Sequence, residues 1–452
     1  MKIIIVGDGK VGFTVSENLS REGHDVTIID NRDDVLQKSI ESQDIIAIKG
    51  NGASYAVLKK AGIESADLLI AATSMDEVNM VCCLVGKRLG AKHTIARIRN
   101  PEYIEQMIMM EEELGLSMIV NPELAAAEEI ARLVSFPSAI SIGSFVEGNV
   151  YLVEIRVHRD NPMVGKSVSI VHGKYASDVL ICTVMRGAKA YIPKGDFIIK
   201  EDDHLFIVGN YHQIDSYLAS LGQRDRKVRS AMIVGGGLIT YYLGKKLMER
   251  GIKVTIIEKL ESKCEQMYEA LPGALIIHGD GTDKALLDSE GMENYDAFIA
   301  LTDIDEENLI ISMYGAYKEV GKVITKINRL EYSDMIRKAG IDRVISPKTT
   351  AANQIVRYVR HIHSRQNGPI ETLYRIADDQ VEVLEFMAIS STLYLGVPIM
   401  ELPLKKDILL AAIVRDGSII IPRGKDRMLE GDIIILVTTA MRHLDNLNAI
   451  FQ

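Results

Sequence analysis

Two glycine-rich segments are the parts of this sequence best suited to binding the phosphates of a ligand. The first, GDGKVG, places Gly7, Gly9 and Gly12 between an apolar run and a helical pattern. In such loops the first glycine permits a tight turn, the second lets the backbone approach phosphate, and the third lets the helix pack on the strand. The free N–H groups and partial positive charge at the helix start would attract the anion. The segment therefore predicts a phosphate-binding turn.

Asp30 ends the second apolar run and strengthens this prediction. A carboxylate at that place, about 20 residues after the loop, can accept hydrogen bonds from both ribose hydroxyls of an adenine nucleotide. An ionised Asp30 would also repel a 2′-phosphate. We therefore expect NAD or an adenine ribonucleotide rather than NADP.

Further polar residues follow the later apolar runs of the same segment, where parallel strands would end. Sheets of this kind bind ligands at the carboxyl ends of their strands. Arg97 could reach a phosphate or a ribose there, or it could form a structural ion pair with the loop around Asp76. Lys10 could also meet phosphate, or it could be a solvated lysine at the helix start. The other candidates at the strand ends are Asn51, Gly52, Thr73 and Ser74.

The sequence repeats this arrangement once. AMIVGGGLITYYLG, which begins at residue 231, returns an apolar run and a glycine loop that contains Gly235 and Gly237. The second copy then places Glu258, Asp280, Thr302 and Lys326 where the first has Asp30, Asn51, Thr73 and Arg97. A repeated set of ligand positions predicts two nucleotide sites in one chain.

The second copy differs from the first in its glycine loop. Thr240 stands where the first copy has Gly12, and Leu238 replaces Lys10. We therefore expect the second site to be more acidic, to lack the loop cation, and either to bind polyphosphates more weakly or to need a divalent ion. An acidic loop could hold that ion or could simply be a solvated surface. Its residues are Asp303, Asp305, Glu306 and Glu307.

Each copy divides into the same two parts. The first part alternates short apolar runs with helical patterns, which specifies a Rossmann-like, doubly wound parallel sheet. Asn121 and Pro122 are expected to cap and begin its last helix. The second part has about 80 residues, with the alternating strands and turn residues of a small α+β unit. The predicted limits are 1–137 and 138–221 for the first copy, 222–229 for a polar linker, and 230–365 and 368–452 for the second copy.

Composition limits the classes of function. A net charge of −10 and a pI of about 5.6 disfavour a nucleic-acid binder, which needs a basic face. No apolar run reaches the ~18–20 residues that a membrane span requires, and the first residues predict a strand rather than a signal peptide. The four cysteines have no metal-ligand spacing and are expected to be reduced thiols in the core. A cytoplasmic protein is expected.

No catalytic set accompanies the binding residues. The motifs G-x-S-x-G and H-E-x-x-H and the complete phosphate loop of NTP hydrolases are absent from the sequence. A dehydrogenase would need a further domain that brings a substrate and an acid–base group to the nicotinamide. Duplicated binding residues without such groups favour a sensor rather than an enzyme, with no catalytic residue and no metal ligand. An NAD-dependent dehydrogenase remains the alternative, supported by the glycine loops alone.

Several segments together resemble the N-terminal domain of the RCK family, whose members regulate K⁺ conductance. In the first copy these segments are GDGKVG, GNGAS, AATSMDEVN, ARIRNPEY and VNPELAAAEEIARLV. Their counterparts in the second copy are HGDGT, ALTDIDEEN, TKINRLEY and SPKTTAANQIV. The tandem order covers nearly the whole chain and resembles the TrkA family of regulatory subunits of Trk potassium-uptake systems.

The resemblance implies a ring of RCK domains on the inner face of the cell membrane, under a K⁺ channel subunit of the TrkH type. With two domains per chain, a homotetramer would form an eight-domain ring. NAD(H) and ATP or ADP would act as effectors, and their binding would change the angle between neighbouring sheet domains. A regulator of a different ion transporter, such as an exporter, is the alternative within this class.

The resemblance also implies the residues of each site. The first site would use Gly7, Asp8, Gly9, Lys10, Val11, Asp30, Asn51, Gly52, Thr73, Ser74 and Arg97. The second site would use Gly235, Gly237, Glu258, Asp280, Thr302 and Lys326.

Overall fold

The structure is a computed structural model that describes most of the chain. The described residues are 1–109, 115–135, 139–146, 149–175, 178–221, 227–329, 336, 340–341, 343–364, 370–377, 380–439, 444 and 446–452. The chain forms two compact units. The first unit consists of Met1–Ala131, here called the first lobe, and Val228–Val356, here called the second lobe. The second unit consists of Arg132–Lys227 and Arg357–Gln452.

A six-stranded parallel sheet forms the first lobe. Its strands are β1 (Lys2–Val6), β2 (Asp25–Asp30), β3 (Ile46–Lys49), β4 (Leu68–Ala71), β5 (His93–Arg97) and β6 (Met118–Val120). The helices are α1 (Lys10–Arg21), α2 (Asp33–Ser42), α3 (Tyr55–Lys60), α4 (Asp76–Leu89), α5 (Pro101–Met109) and α6 (Pro122–Ser135), which contains the boundary between the units. The strand order is β3-β2-β1-β4-β5-β6. The glycine turn after β1 therefore lies where the order reverses, which is where such sheets bind ligands.

The second lobe has the same topology. Its strands are β12 (Ser230–Val234), β13 (Lys253–Glu258), β14 (Leu275–His278), β15 (Ala297–Ala300), β16 (Lys322–Lys326) and β17 (Val344–Ile345). Its helices are α9 (Leu238–Glu249), α10 (Glu261–Ala270), α11 (Lys284–Ser289), α12 (Asp305–Tyr317) and α13 (Pro347–Ser364). The parallel order β14-β13-β12-β15-β16-β17 repeats that of the first lobe.

Burial explains why these segments form parallel sheets. Every residue of β4 and β15 is buried, as expected for strands that helices cover on both faces. In α1, the buried side chains Val11, Val15 and Leu19 recur at every fourth position and form one apolar stripe. Gly90 follows the last residue of helix α4 and has a φ of 120°, a backbone conformation that glycine adopts more readily than other residues. The turn can therefore lead directly into β5.

The second unit contains two five-stranded antiparallel sheets of matching strand order. The first sheet is built from β7 (Ser141–Phe145), β8 (Val150–Arg156), β9 (Leu180–Arg186), β10 (Lys189–Tyr191) and β11 (His204–Gly209), with helices α7 (Val168–Tyr175) and α8 (Tyr211–Ser220). The second sheet is built from β18 (Ile370–Ile376), β19 (Val381–Met387), β20 (Ile408–Arg415), β21 (Ser418–Ile420) and β22 (Ile433–Thr439). Their orders are β10-β9-β11-β8-β7 and β18-β19-β22-β20-β21.

The two small sheets share one apolar core. Phe145, Leu152 and Phe206 of the first sheet belong to the same buried cluster as Val383 and Val437 of the second. A hydrophobic core common to both sheets stabilises them as one compact unit, since apolar burial contributes roughly 25 cal/mol per Å².

Each small sheet also contains an ion pair in which a buried carboxylate meets a partly exposed guanidinium. The guanidinium of Arg186 donates two hydrogen bonds, of 2.7 and 2.8 Å, to the carboxylate of the fully buried Asp203. Arg415 and Asp432 repeat this arrangement at 2.8 Å in the second sheet. The hydrogen bonds to Asp203 and Asp432 raise the pKa values of both arginines, so the pairs are ionised.

The predicted fold class, two Rossmann-like sheet domains each followed by a small α+β unit, is confirmed. The predicted core thiols are confirmed too, because all four cysteines are buried. Burial raises the pKa values of Cys82 and Cys182 to about 12, which disfavours the reactive thiolate. The residue limits of the domains stay predictions, and residues 222–226 of the predicted linker lie outside the described residues.

Candidate functional site

The glycine loop of the first lobe has one open position and two crowded ones. Gly7 has a φ of 96°, and a Cβ there would lie 2.8 Å from the backbone nitrogen of Thr73. A Cβ on Gly12 would lie 1.9 Å from the Gly7 carbonyl oxygen. A Cβ on Gly9 would meet no atom within 4 Å, and its backbone is extended. The fold requires Gly7 and Gly12, whereas Gly9 leaves an open surface for a phosphate.

Asp30 organises the turn around this loop. Its Oδ2 accepts a hydrogen bond of 2.8 Å from the backbone N–H of Asp8, and its Oδ1 accepts one of 2.9 Å from that of Arg32. The carboxylate is thus fixed at the end of β2, beside the glycine loop. A carboxylate has about four acceptor positions, so two backbone donors leave capacity for ribose hydroxyls. The side chain of Asp8 instead turns to Ser39 of α2.

Two residues that sequence reasoning did not select join the ends of β4 and β5. Asn79 accepts hydrogen bonds from the backbone N–H and hydroxyl of Thr73, at 2.8 and 2.7 Å, and donates one of 2.8 Å to the Arg97 carbonyl. Asp76 accepts backbone hydrogen bonds of 2.8 Å from residues 99 and 100. Asp305 and Asn308 repeat these roles in the second lobe. Their recurrence in MDEVN and IDEEN was the signal that could have identified them.

The remaining predicted residues of the first site lie at strand ends. Gly52 packs against β1, because a Cβ there would lie 2.1 Å from Cγ1 of Val6. Asn51 accepts a hydrogen bond from the backbone of Ala53, and the Ser74 carbonyl accepts one from Arg99. The loops that carry these residues are therefore held in place by local hydrogen bonds and by close packing.

The second lobe forms a cavity of about 330 Å³ around its own glycine loop. Glu258 accepts backbone hydrogen bonds from Gly236 at 2.6 Å and Leu260 at 2.7 Å, as Asp30 does in the first lobe. Lys259 bonds to Asp280 at 2.7 Å, and this bond, with those from Thr282, lowers the pKa of Asp280 to about 2. The predicted members that line the cavity are Gly235, Gly237, Glu258, Asp280 and Thr302.

Lysines that sequence reasoning did not select also line this cavity. Lys263 of α10 and Lys259 in the turn before that helix both face the cavity. Their positive charges partly replace the loop cation that is lost at Leu238. Both residues follow Glu258 closely in sequence, but the repeat comparison did not point to them. The second site therefore keeps positive charge near its glycine loop.

Thr240 replaces the third glycine without loss of the turn. It is fully buried, and its hydroxyl donates a hydrogen bond to the carbonyl oxygen of Gly235. In the first lobe a Cβ at this place would overlap the matching carbonyl of Gly7. The second lobe therefore accommodates a side chain at a place where the first lobe accommodates only glycine.

The acidic loop of the second lobe is paired with basic and backbone groups. Lys326 donates to Asp303 at 3.2 Å, and Asp305 accepts backbone hydrogen bonds from Asn328 and Arg329. Arg329 also pairs with Glu306. Across the part of the chain that the structure describes, no group of three or more His, Cys, Asp or Glu side chains could hold a metal ion. These contacts favour a structural loop over a divalent-ion site.

A cleft of about 530 Å³ lies between the two lobes, and it is lined by the start of α1 from the first lobe and by the glycine loop of the second. The first lobe lines it with Lys10, Val11 and the residues around Arg97, and the second with Gly236, Gly237 and the start of α9. Positive side chains outnumber negative ones in its lining, although the whole chain is acidic. The positive residues are Lys10, Arg97, Arg99, Lys263, Lys326 and Lys348, and the negative ones are Glu123 and Asp303. The cleft is therefore suited to an anion.

Arg97 and Arg99 bring spare donors to this cleft. Arg97 donates to the carbonyl of Thr73 and pairs with Glu123 at 3.4 Å rather than with the Asp76 loop. The Nε atoms of both arginines are buried without a hydrogen-bond partner in the described structure. Burial lowers the pKa of Arg97 despite the opposing effect of Glu123. The positive charge of these two guanidinium groups in the cleft lining favours an anion.

Hydrogen bonds link the lobes beside the cleft. The hydroxyl of Tyr242 in α9 donates to the carbonyl oxygen of Arg99 at 2.8 Å and accepts from the Asn121 side-chain amide at 3.1 Å. Asn121 also caps α6, as predicted, by accepting from the backbone N–H of Leu124. Burial raises the pKa of Tyr242 to about 12. The backbone of Arg99 therefore connects the cleft to the contact between lobes.

The fold and the two glycine loops define the class of this protein. It is a tandem protein that has two Rossmann domains of the dinucleotide type and two small α+β domains. Family models match accordingly, the TrkA-N domain at residues 3–122 and 231–347 and the TrkA-C domain at 152–222 and 383–447. The Trk system potassium uptake protein TrkA homolog 1 of Methanosarcina mazei is 33% identical over 97% of this chain and 98% of its own. TrkA of Halomonas elongata is 32% identical over 100% and 99%. The chain belongs to the TrkA family.

A solved structure shares the fold of the whole chain. The GsuK channel bound to NAD matches with a TM-score of 0.63 and 19% identity, over 97% of this chain and 77% of the channel. Among the described residues, no helix combines the length and apolar character needed to cross a membrane.

Replacing Asp30 by alanine should weaken the binding of NAD at the first site by about 10- to 100-fold, because hydrogen bonds to a charged acceptor contribute about 1.5–3 kcal/mol. Isothermal titration of the purified chain would measure this change. Asp33→Ala is the matched control, since Asp33 is exposed and pairs only with Lys49 at the surface. Equal affinities of the wild type and Asp30→Ala for NAD would contradict the assignment of Asp30 to the first site.

Proposed function

We propose that this chain is the nucleotide-sensing regulatory subunit of a Trk-type potassium-uptake channel and not an enzyme. Membership of the TrkA family supports a regulatory role in K⁺ transport, as do the potassium-uptake relatives of the chain. The observation that carries the proposal is the basic cleft that is lined by the start of α1 in the first lobe and by the glycine loop of the second. An anion held there contacts both lobes at once.

The proposed ligands are NAD(H), ATP and ADP, bound by the residues that the sequence predicted. The open positions at Gly9 and Gly237 fit phosphate, because a Cβ at either place meets no protein atom within 4 Å. In the second site, the ribose would lie at Glu258 and the phosphates would run over Gly236 and Gly237. These two glycines also line the cleft, so the phosphate chain would extend toward the cations of the first lobe.

The lobes would respond to the ligand through this shared cleft. A nucleotide shifts the equilibrium between two arrangements of the lobes only if it binds them with unequal affinity. Lys10 from the first lobe and Lys263 from the second both line the cleft and can contact one phosphate chain only when the lobes are close. A coupling of about 1–3 kcal/mol, or roughly 5- to 150-fold, is the usual scale of such effects.

The channel would be controlled by an assembly of these lobes. We propose a homotetramer that forms an eight-domain ring and docks on a membrane K⁺ channel subunit of the TrkH type from the cytoplasmic side. A solved channel of the same fold, the GsuK channel bound to NAD, supports a link between such domains and a channel. The lobe angle would then change the geometry of the ring.

Potassium flux into proteoliposomes that contain the channel subunit and this chain would test the proposal. We expect nucleotide to change the flux, and Lys10→Ala to weaken both ATP binding and the flux response by about tenfold, since one charge-assisted hydrogen bond contributes about 1.5–3 kcal/mol. Adenosine, which has no phosphate, should bind the unmodified chain and the Lys10→Ala variant equally.

Lys60→Ala is the matched control, because Lys60 is exposed at the end of α3 and lies outside the cleft lining. Nucleotide binding without any change in flux would refute regulation of this channel and would favour another ion transporter. Oxidation of NADH with a small substrate at enzymatic speed would favour a dehydrogenase.

A further inference from the structure

Asp8 is a buried carboxyl group inside the glycine loop of the first lobe. Only 2% of the residue is exposed. Its Oδ2 accepts a hydrogen bond of 2.6 Å from the hydroxyl of Ser39 on α2. Its Oδ1 is buried and has no hydrogen-bond partner in the described structure. An ionised oxygen without a donor is unfavourable in such a place, because desolvation penalises the charged form.

The charges around Asp8 do not remove this penalty. Asp30, at the end of β2, is a second carboxylate whose Oδ2 accepts the Asp8 backbone N–H. Arg32 in the following turn and Lys38 on α2 act in the opposite direction, but neither donates to Asp8. Burial is the largest effect and Asp30 adds to it, so the pKa of Asp8 is raised.

The second lobe lacks this group. Gly236 occupies the matching place, and a Cβ there would lie 3.0 Å from Oε2 of Glu258. Of the differences between the two sites, this one gives the first site a buried carboxyl group that the glycine loop of the second site does not have. The second site, which has Gly236 at this place, can therefore serve as a control for the first site within the same chain.

We propose that Asp8 couples nucleotide binding at the first site to the uptake of a proton, so that this site binds more tightly as the pH falls and the second site does not. The inference rests on the proposed function of the first site as a nucleotide site. Bound phosphates bring negative charge over the loop and cover it from water. Both changes favour the neutral acid over the carboxylate.

The sign of the effect follows from linkage. Nucleotide raises the pKa of Asp8 further, so between the free and bound pKa values the complex holds more protons than the free chain. Affinity is then highest below the free pKa and falls as the pH rises through the bound pKa. Each unit by which the ligand raises the pKa corresponds to a tenfold change in affinity.

Calorimetry of the full chain with NAD⁺ tests the proposed proton uptake directly. NAD⁺ itself has no group that titrates between about pH 5.5 and 8. Gly237→Val silences the second site in every protein used. Titrations in two buffers of different ionisation enthalpy should show uptake of a fraction of a proton per NAD⁺ at the acidic end. Affinity should be higher there than at the alkaline end, by up to tenfold for each unit by which NAD⁺ raises the pKa of Asp8.

Asp8→Asn is the decisive variant, since the amide has the shape of the neutral acid and cannot ionise. It should bind NAD⁺ with no proton uptake and with an affinity that does not change with pH. Ser39→Ala removes the donor that stabilises the carboxylate, so it should move the pH dependence toward higher pH.

Proton uptake that persists in Asp8→Asn, or its absence in the parent protein while NAD⁺ still binds, would overturn the inference and leave the proposed function standing. Failure of the unmodified chain to bind NAD⁺, ATP or ADP at any pH would instead refute the nucleotide site, and the inference would fall with it.

Discussion

We expect Gly9→Val to abolish the proposed nucleotide binding at the first site and to leave the fold intact. The extended backbone of Gly9 is one that valine adopts readily, and a Cβ there meets no protein atom within 4 Å. The added methyl groups occupy the space through which phosphate reaches the loop. We expect the affinity of the first site for NAD⁺ to fall at least ~100-fold, since the backbone contacts to phosphate are lost together. Titration calorimetry measures the loss, and thermal unfolding measures the stability.

Two further glycine variants provide the controls. Gly237→Val should silence the second site in the same way, because its backbone and surroundings match those of Gly9. Gly12→Ala should instead disrupt the fold, since its Cβ would lie 1.9 Å from the Gly7 carbonyl oxygen. Unchanged control of K⁺ flux by nucleotide in an assembled Gly9→Val protein would show that the first site has no regulatory role.

Replacing Arg186 by alanine strongly destabilises the first small sheet. The change leaves the carboxylate of Asp203 fully buried without its ionic partner, and breaking such a pair costs about 3–5 kcal/mol. Within the described structure, the backbone N–H of Lys200 would remain as a hydrogen-bond donor to the Asp203 carboxylate. We expect the backbone amides of β9 and β11 to exchange hydrogen at least ~100-fold faster. Hydrogen–deuterium exchange of the full chain measures this local effect.

Arg21→Ala is the comparison for an exposed pair. Arg21 contacts Glu17 one helical turn away, and its side chain is 68% exposed, so its loss should cost at most about 0.5 kcal/mol. The double change Arg186→Ala with Asp203→Asn should recover part of the protection, because the amide carries no charge. Exchange rates in Arg186→Ala that match those of Arg21→Ala would contradict the importance of the buried pair.

Local patterns predicted the fold because they act over short stretches of chain. The order of apolar runs and helices specified both parallel sheets, and right-handed crossovers then restricted the strand order. The positions of Asp30 and Glu258 were predictable as well, since each ends the strand beside a glycine turn. The roles of Asn79 and Asp76 were visible only as a recurrence, because their partners lie on the next strand of the sheet.

The sequence by itself determined the duplicated sheets, the glycine loops and the carboxylates at the ends of β2 and β13, because short local patterns of apolar residues, glycines and strand-end residues specify them. Only the tertiary structure decided that Asp8 turns inward to Ser39, that Thr240 substitutes for a glycine, and that Lys10 shares a cleft with Lys263. These features depend on the distance between a helix and its loop, or between the two lobes. Such distances are set by the packing of side chains far apart in sequence, of which the bond from Tyr242 to Arg99 is one example.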